Sequence, residues 1–302
     1  MLPVPPRDYA APRASPDGAQ IAVEVTETGA GGDATHIFVV SRDSGVLRQL
    51  TFDGTRNRWP IWTADGTAVV FESNQGDGNG RGLYRKAASG SGPVERIVEH
   101  TGSLVPLDAS KDGVLLFAQS VEAETGEAYG LWTVPLDGSA APTVFLENIG
   151  AQPQARLSPD GRWVAYVSDE SGTPEVYVRP YPRVDDTRWR VSESGGNQPL
   201  WAPDQRAIYF NTQGTADGGP EMRAAVETGS TLTRGAVERL FGWVPAPERI
   251  GDRKELMPDG EHFLIAAGAG GAGNPAGGTE EQSRIVTVYN WFEELKRLVP
   301  VD

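Results

Sequence analysis

The apolar residues of this chain fall in short runs of strand length, separated by polar segments rich in glycine and proline. In Trp163–Val167 every residue is apolar, as expected of a strand covered on both faces. Similar runs recur at Ile21–Val25, Ala68–Phe71, Val114–Phe117, Ala207–Phe210 and His262–Ala266. The pattern predicts an all-β protein.

A tight turn precedes each of these runs. In Ser158-Pro159-Asp160-Gly161, the proline pre-sets φ, the aspartate side chain can close the turn, and the glycine can adopt the left-handed conformation. Related turns are Ser15–Gly18, Thr63–Gly66, Ser110–Gly113, Ala202–Gln205 and Met257–Gly260. Because Gln205 replaces the glycine, we expect a distorted hairpin there, although the strands around it should still form.

The turns recur with a period of roughly 45 residues, which together with their strand content indicates the blades of a β-propeller. We therefore predict an all-β, six-bladed β-propeller of four-stranded antiparallel blades. It forms a single domain over residues 1–302. The predicted blades span approximately residues 7–51, 55–99, 102–147, 150–193, 196–242 and 250–290 plus 2–5.

The two ends of the chain predict how the ring closes. The last repeat offers no good fourth strand after Ile285–Tyr289, whereas Leu2–Pro5 is extended and has no partner in its own repeat. We predict that Leu2–Pro5 is the outer strand of the sixth blade; a frayed terminus is the alternative. Asn290–Leu298 is predicted to form a short C-terminal helix, with Asn290 as its N-cap.

The strands that precede the turns should line the central channel, and their N-terminal ends are polar. Polar side chains that converge at one mouth of a channel can form a ligand pocket. The alternative is that they only hydrogen-bond to neighbouring blades and to channel water. The candidate ligand-binding residues at this mouth are Tyr9, Arg58, Trp59, Gln154, Gln198, Asp252 and Arg253.

Composition narrows the range of partners. The chain carries 27 basic and 41 acidic residues, a formal net charge of −14, so we expect no nucleic-acid binding. Cysteine is absent, which excludes disulfides and thiolate metal sites in this sequence. No apolar run is long enough to predict a membrane span, and the first residues lack the pattern of a signal peptide.

Motifs for catalysis and metal binding are also missing from the sequence. The three histidines show no metal-ligand spacing, and no G-x-S-x-G elbow or P-loop occurs. The glycine-rich run after Gly268 matches G-x-G-x-x-G, but the proline and glycines that follow cannot open a phosphate-binding helix. We therefore predict no catalytic residues, no metal site and no cofactor.

The repeats resemble the TolB-type, WD-repeat-like six-bladed propellers through their S-P-D-G turns and strands such as Val164–Ser168. Two stretches, Ser168–Pro182 and Asn290–Pro300, resemble the C-terminal propeller region of bacterial serine/threonine protein kinases. In those kinases the propeller lies beyond a membrane span as a sensor or protein-binding module. The H-R-D and D-F-G motifs and the glycine-rich loop of kinases are absent from this sequence, so kinase activity does not transfer.

Three functions remain open at this stage. The favoured one is a non-catalytic binding or sensor module that engages a protein or peptide through one face or the channel mouth. The second is an enzyme at the channel mouth, a lyase or hydrolase using Arg58, Asp252 and Arg253. The third is a structural subunit of an assembly. The resemblance favours an extracytoplasmic, periplasmic location; a cytoplasmic location is the alternative if the sequence is complete as written.

Overall fold

The computed structural model of the chain describes residues 2–5, 7–29, 32–76, 81–123, 126–183, 187–212, 219–241, 254–267 and 284–288. Its first three sheets contain β1 (Asp8–Ala14), β2 (Gln20–Gly29), β3 (Gly32–Ser41), β4 (Leu47–Gln49); β5 (Asn57–Trp62), β6 (Ala68–Ser73), β7 (Arg81–Ala87), β8 (Glu95–His100); and β9 (Leu104–Ala109), β10 (Val114–Ala123), β11 (Gly126–Pro135), β12 (Thr143–Leu146). The next three contain β13 (Ala155–Leu157), β14 (Trp163–Ser168), β15 (Glu175–Pro180), β16 (Trp189–Arg190); β17 (Asn197–Trp201), β18 (Ala207–Asn211), β19 (Glu221–Thr228), β20 (Leu232–Phe241); and β21 (Glu255–Leu256), β22 (Phe263–Ala267), β23 (Arg284–Val288).

Within each sheet, strands that follow one another in the chain lie side by side. All the strand pairs within these sheets are antiparallel, for example β14 with β13 and with β15. Over the described residues, five sheets have four strands and the last has three. The predicted all-β architecture of repeated four-stranded antiparallel sheets is confirmed.

The turns that join the first two strands of each sheet have the predicted chemistry. The Gly161 N–H donates to the Ser158 carbonyl at 2.8 Å, and the Ser158 hydroxyl donates to Asp160 Oδ1 at 2.6 Å. Gly161 has φ of 71°. Gln205 takes the same left-handed conformation at φ of 60°, and its N–H donates to the Ala202 carbonyl at 2.9 Å. The expected distortion of that hairpin is wrong, because the surrounding hydrogen bonds hold Gln205 in place of a glycine.

This pair of turns provides a matched test of backbone strain. Gly161→Ala should lower the free energy of unfolding by about 1–2 kcal/mol, since a non-glycine residue is disfavoured at this φ. Steric clash will not add to this cost, because no other atom lies within 4 Å of the position that a Cβ would take. Gln205→Gly should raise the free energy of unfolding, because glycine adopts this φ without strain. The gain is smaller than the strain relieved, because the contact of the Gln205 amide with Asp160 is lost. Urea denaturation of both variants checks the two signs.

The hydrophobic core lies between sheets. Phe71 packs with Ile37 and Leu50 of the first sheet, and Phe117 packs with Val70 and Leu83 of the second. Similar clusters join each later sheet to the next. A further cluster joins the last sheet to the first; its members include Leu2, Tyr9, Ile21, Met257, Leu264 and Ile285.

The two ends of the described chain also meet through the backbone. The Leu2 N–H donates to the Ile285 carbonyl at 3.3 Å, and the Leu2 side chain is buried. β1 lies against β21, β22 and β23, just as it lies against β5 of the second sheet. The C-terminal helix predicted at Asn290–Leu298 and the glycine-rich run after Gly268 fall outside the described residues.

Candidate functional site

The first strands of the sheets converge at the ends that lead into the turns. There they surround a cavity of about 300 Å³, which we call the turn-end cavity. Its outer edge includes the exposed turn residues Pro16, Lys111 and Pro258. One side chain comes to its wall from the same position of each first strand: Arg13, Ile61, Asp108, Arg156, Leu200 and Glu255. Four of these six side chains carry charge.

Glu255 joins two of the charged groups across the cavity. Its Oε2 accepts hydrogen bonds from Arg13 Nη1 and, at 3.1 Å, from Arg156 Nη2. Arg156 Nη1 also donates to the Leu107 carbonyl at 2.6 Å. The indole of Trp62 donates to the Arg13 carbonyl at 2.9 Å. The two guanidinium groups are therefore held by partners from the third and last sheets, and the second sheet binds the backbone of Arg13.

Asp108 is the second carboxylate of the cavity wall. Its Oδ1 accepts from the Ala109 N–H at 2.8 Å and its Oδ2 from the Leu157 N–H at 3.0 Å. Removal from bulk water raises the pKa of Asp108 to about 6, although these hydrogen bonds and Arg13 act in the opposite direction. This carboxyl group thus titrates close to neutral pH.

The raised pKa of Asp108 predicts a pH-dependent stability. Between the ordinary value of 3.8 and the folded-state value of about 6, the folded protein binds this proton while the unfolded chain releases it. The free energy of unfolding should therefore fall as pH rises through this interval, by about 3 kcal/mol relative to Asp108→Asn. Denaturant titrations of both proteins from pH 4 to pH 8 measure the difference. Parallel pH profiles would contradict the assignment.

Sequence reasoning missed the four charged residues of this cavity. Arg13, Asp108, Arg156 and Glu255 each stand two residues before the first residue of a turn. Superposing the six repeats on their turns shows charge at a position that an inner strand would otherwise fill with apolar residues. That periodic charge is the signal by which they could have been found.

The predicted site residues lie towards the opposite ends of the first strands. Tyr9 is buried, and its hydroxyl donates to the Pro5 carbonyl at 2.7 Å. Trp59 is also buried, and its backbone N–H donates to Glu24 Oε1 at 2.6 Å. Arg58 is half-buried and pairs in register with Glu72 of β6. Tyr9 and Trp59 thus present little surface to a ligand.

Two more of these residues are brought together. The Gln198 backbone N–H donates to Gln154 Oε1 at 2.6 Å, which connects two neighbouring sheets. Gln198 lies in a strand bulge with φ of 53°, and Trp59 lies in a bulge with φ of 54°. Asp252 and Arg253 fall outside the described residues. Ligand binding by these residues, predicted at the channel mouth opposite the turns, remains a prediction.

Over the described part of the chain, no three histidine or acidic side chains group closely enough to hold a metal ion. The same residues include no helix that is both long and apolar enough to cross a membrane.

Comparison with known proteins gives relatives of both sequence and structure. No family model matches the chain. A protein of Agrobacterium fabrum is 26% identical over 197 residues, which are 64% of this chain and 63% of that protein. The chain thus spans less than two thirds of the length of this relative.

Two solved structures have the same architecture. TolB from Acinetobacter baumannii superposes with a TM-score of 0.63 at 16% identity, over 90% of this chain and 61% of its own. A TolB-type protein from Agrobacterium tumefaciens superposes with a TM-score of 0.64 at 16% identity, over 94% of this chain and 91% of its own. At such identities the likeness concerns the fold alone. The chain has the fold of the TolB-type β-propeller proteins.

Proposed function

We propose that this protein is a non-catalytic binding module that engages a protein or peptide partner at the turn end of its channel. The observation that carries this proposal is the turn-end cavity, to which every sheet contributes a side chain. Its exposed edge is made by residues of several turns, so one partner can contact several repeats at once. At about 300 Å³ the cavity has room for a side chain or a chain end.

The chemistry of the cavity favours binding over catalysis. Glu255 is already occupied by two guanidinium groups, and each oxygen of Asp108 accepts a backbone N–H. The hydroxyls of Ser15, Thr63 and Ser158 at the cavity donate to the aspartates of their own turns, so they are engaged in turn structure. No histidine is among the described residues that line the cavity, so a histidine general base is not available to activate them. The charged groups can instead orient a polar partner, because their positions are set before binding.

We further infer that the sheets are six blades of one closed ring, with residues 2–5 completing the last blade beside β23. The Leu2–Ile285 hydrogen bond and the buried Leu2 side chain support this arrangement. Leu2→Asp should then lower the free energy of unfolding by more than about 2 kcal/mol, because it places a charge in an apolar cluster. Val46→Asp is the control, since Val46 is 64% exposed. Equal stability of the two variants would contradict closure by residues 2–5.

The resemblance to TolB-type and kinase-associated propellers supports a protein partner and an extracytoplasmic location as parts of the same proposal. Tyr9, Arg58, Trp59, Gln154, Gln198, Asp252 and Arg253 remain proposed as a second contact surface at the opposite mouth. Of these, Arg58 is the described residue whose charged side chain is partly exposed.

Capture of partners by purified protein tests the proposed surface. Binding of proteins from extracts of the host cell is compared between the wild type and the double variant Lys111→Glu/Pro16→Glu. The double variant changes two exposed residues of the cavity edge. We expect a partner that binds the wild type and is lost by the double variant. Arg96→Glu is the control, because Arg96 is 52% exposed on β8, away from the cavity. A partner retained by the double variant but lost by the control would move the interface to the outer strands.

A further inference from the structure

Three arginines of the second sheet surround one buried carboxylate. Glu72 lies in β6 and its side chain has no exposed surface. Arg58 is its register partner in β5, Arg56 directly precedes that strand, and Arg81 begins β7 on the other side. We call Arg56, Arg58 and Arg81 the arginine cluster. It lies near the N-terminal end of β5, away from the turn-end cavity.

Two of these arginines approach Glu72 through their Nε atoms. Arg56 Nε lies 3.3 Å from Glu72 Oε2, and Arg81 Nε lies 3.8 Å from Oε1. Arg81 Nη1 also donates to the Ser103 hydroxyl at 3.0 Å. The side chains of Arg56 and Arg81 are 26% and 33% exposed. A guanidinium held in this way can offer its terminal N–H groups to an incoming ligand.

Positive charge exceeds negative charge around the arginine cluster. Arg56 and Arg81 have the same ion-pair partner, Glu72, so these described ion pairs set two guanidinium groups against one carboxylate. This occurs in a chain whose net charge is −14. Burial lowers the pKa of Arg56, Glu72 opposes that change, and the neighbouring Arg81 and Arg58 lower it further. An anion at the cluster would relieve this repulsion.

The aromatic ring of Trp59 also supports Arg56. Its guanidinium lies 5.7 Å from the ring centroid of Trp59, whose side chain is buried. Stacking on an aromatic face fixes the plane of a guanidinium without using its N–H donors. The arrangement thus combines an aromatic support for Arg56, partly exposed guanidinium groups and positive charge.

We propose that the arginine cluster binds an oxyanion group, either a phosphate or a carboxylate. Oxyanions accept paired, charge-assisted hydrogen bonds from guanidinium groups, which is the chemistry that these side chains present. The site is separate from the turn-end cavity. It shares Arg58 with the second contact surface proposed at the opposite mouth, but anion binding by the cluster does not require a protein partner.

Calorimetric titration with inorganic phosphate and with acetate tests the site, with sodium chloride added to keep ionic strength constant. Saturable binding of phosphate supports a phosphate-bearing ligand, and saturable binding of acetate alone supports a carboxylate. Arg58→Gln and Arg81→Gln should each weaken binding on the order of tenfold. Arg96→Gln on β8 of the same sheet, an exposed arginine beside Glu99, should bind as the wild type does.

Glu72→Gln separates a binding role from a merely structural one. Loss of the central negative charge should tighten anion binding on the order of tenfold, even if the protein becomes less stable. Thermal denaturation with and without phosphate provides a second reading, because a bound ligand raises Tm. The proposal is overturned if neither anion binds beyond chloride, or if Arg58→Gln and Arg81→Gln both bind as tightly as wild type.

Discussion

Glu221→Ala should lower the free energy of unfolding by about 3–5 kcal/mol, because it leaves a buried lysine without its carboxylate partner. The Lys254 ammonium contacts Glu221 Oε2, and both side chains are almost completely buried. Burial lowers the pKa of Lys254 and raises that of Glu221, while their mutual attraction opposes both changes. The aromatic ring of Phe263, with its centroid 5.7 Å from the ammonium, cannot replace the lost negative charge. Equilibrium denaturation in urea measures the loss.

A matched control and a double variant sharpen this prediction. Glu193 forms an ion pair with Arg234 but is 59% exposed, so Glu193→Ala should cost less than about 1 kcal/mol. Glu221→Leu combined with Lys254→Met should restore most of the stability, because apolar groups of similar size can replace a buried ion pair. A cost below 1 kcal/mol for Glu221→Ala would show that water reaches Lys254 in solution.

Phe117→Ala should lower the free energy of unfolding by about 3–5 kcal/mol through the cavity that it leaves between the second and third sheets. Phe117 is completely buried in a cluster with Ile61, Val70, Leu83 and Leu104. These neighbours come from different strands that are tied into their sheets by backbone hydrogen bonds, so they cannot all move inward to fill the space. The change in denaturation midpoint reports the cost.

Phe52→Ala is the control for the same loss of side-chain volume, because Phe52 is 72% exposed. We expect its effect to lie within about 0.5 kcal/mol, as for most surface substitutions. Similar costs for the two phenylalanines would contradict the packing between these sheets.

Much of the fold follows from local chemistry. In Ser158–Gly161 the hydroxyl, the carboxylate and the left-handed glycine are all close in sequence, so the turn can be predicted without knowledge of the rest of the chain. The run Trp163–Val167, apolar at every position, likewise predicts the buried strand β14. Repetition of both signals predicts the repeated sheets, because each repeat needs a neighbour to cover its apolar faces.

Gln205 shows where local rules fail. Glycine is the residue that this φ normally selects, yet the Ala202–Gln205 hydrogen bond and the contact of the Gln205 amide with Asp160 of the preceding repeat accommodate a side chain there. The contact with Asp160 joins residues far apart in sequence. Its effect could not be predicted from the turn alone.

The strands and their turns depend on residues within a few positions of one another, and the period is the distance at which those local signals recur, so all three can be read from the sequence. Which charged groups meet depends on how the repeats pack together. Arg13, Asp108, Arg156 and Glu255 come from four different repeats, and their contacts arise because the first strands converge at their turn ends. A charge on a single strand looks like a solvated surface residue. Its recurrence at the same position of several repeats marks it as unusual, but its partners are known only once the strands are assembled.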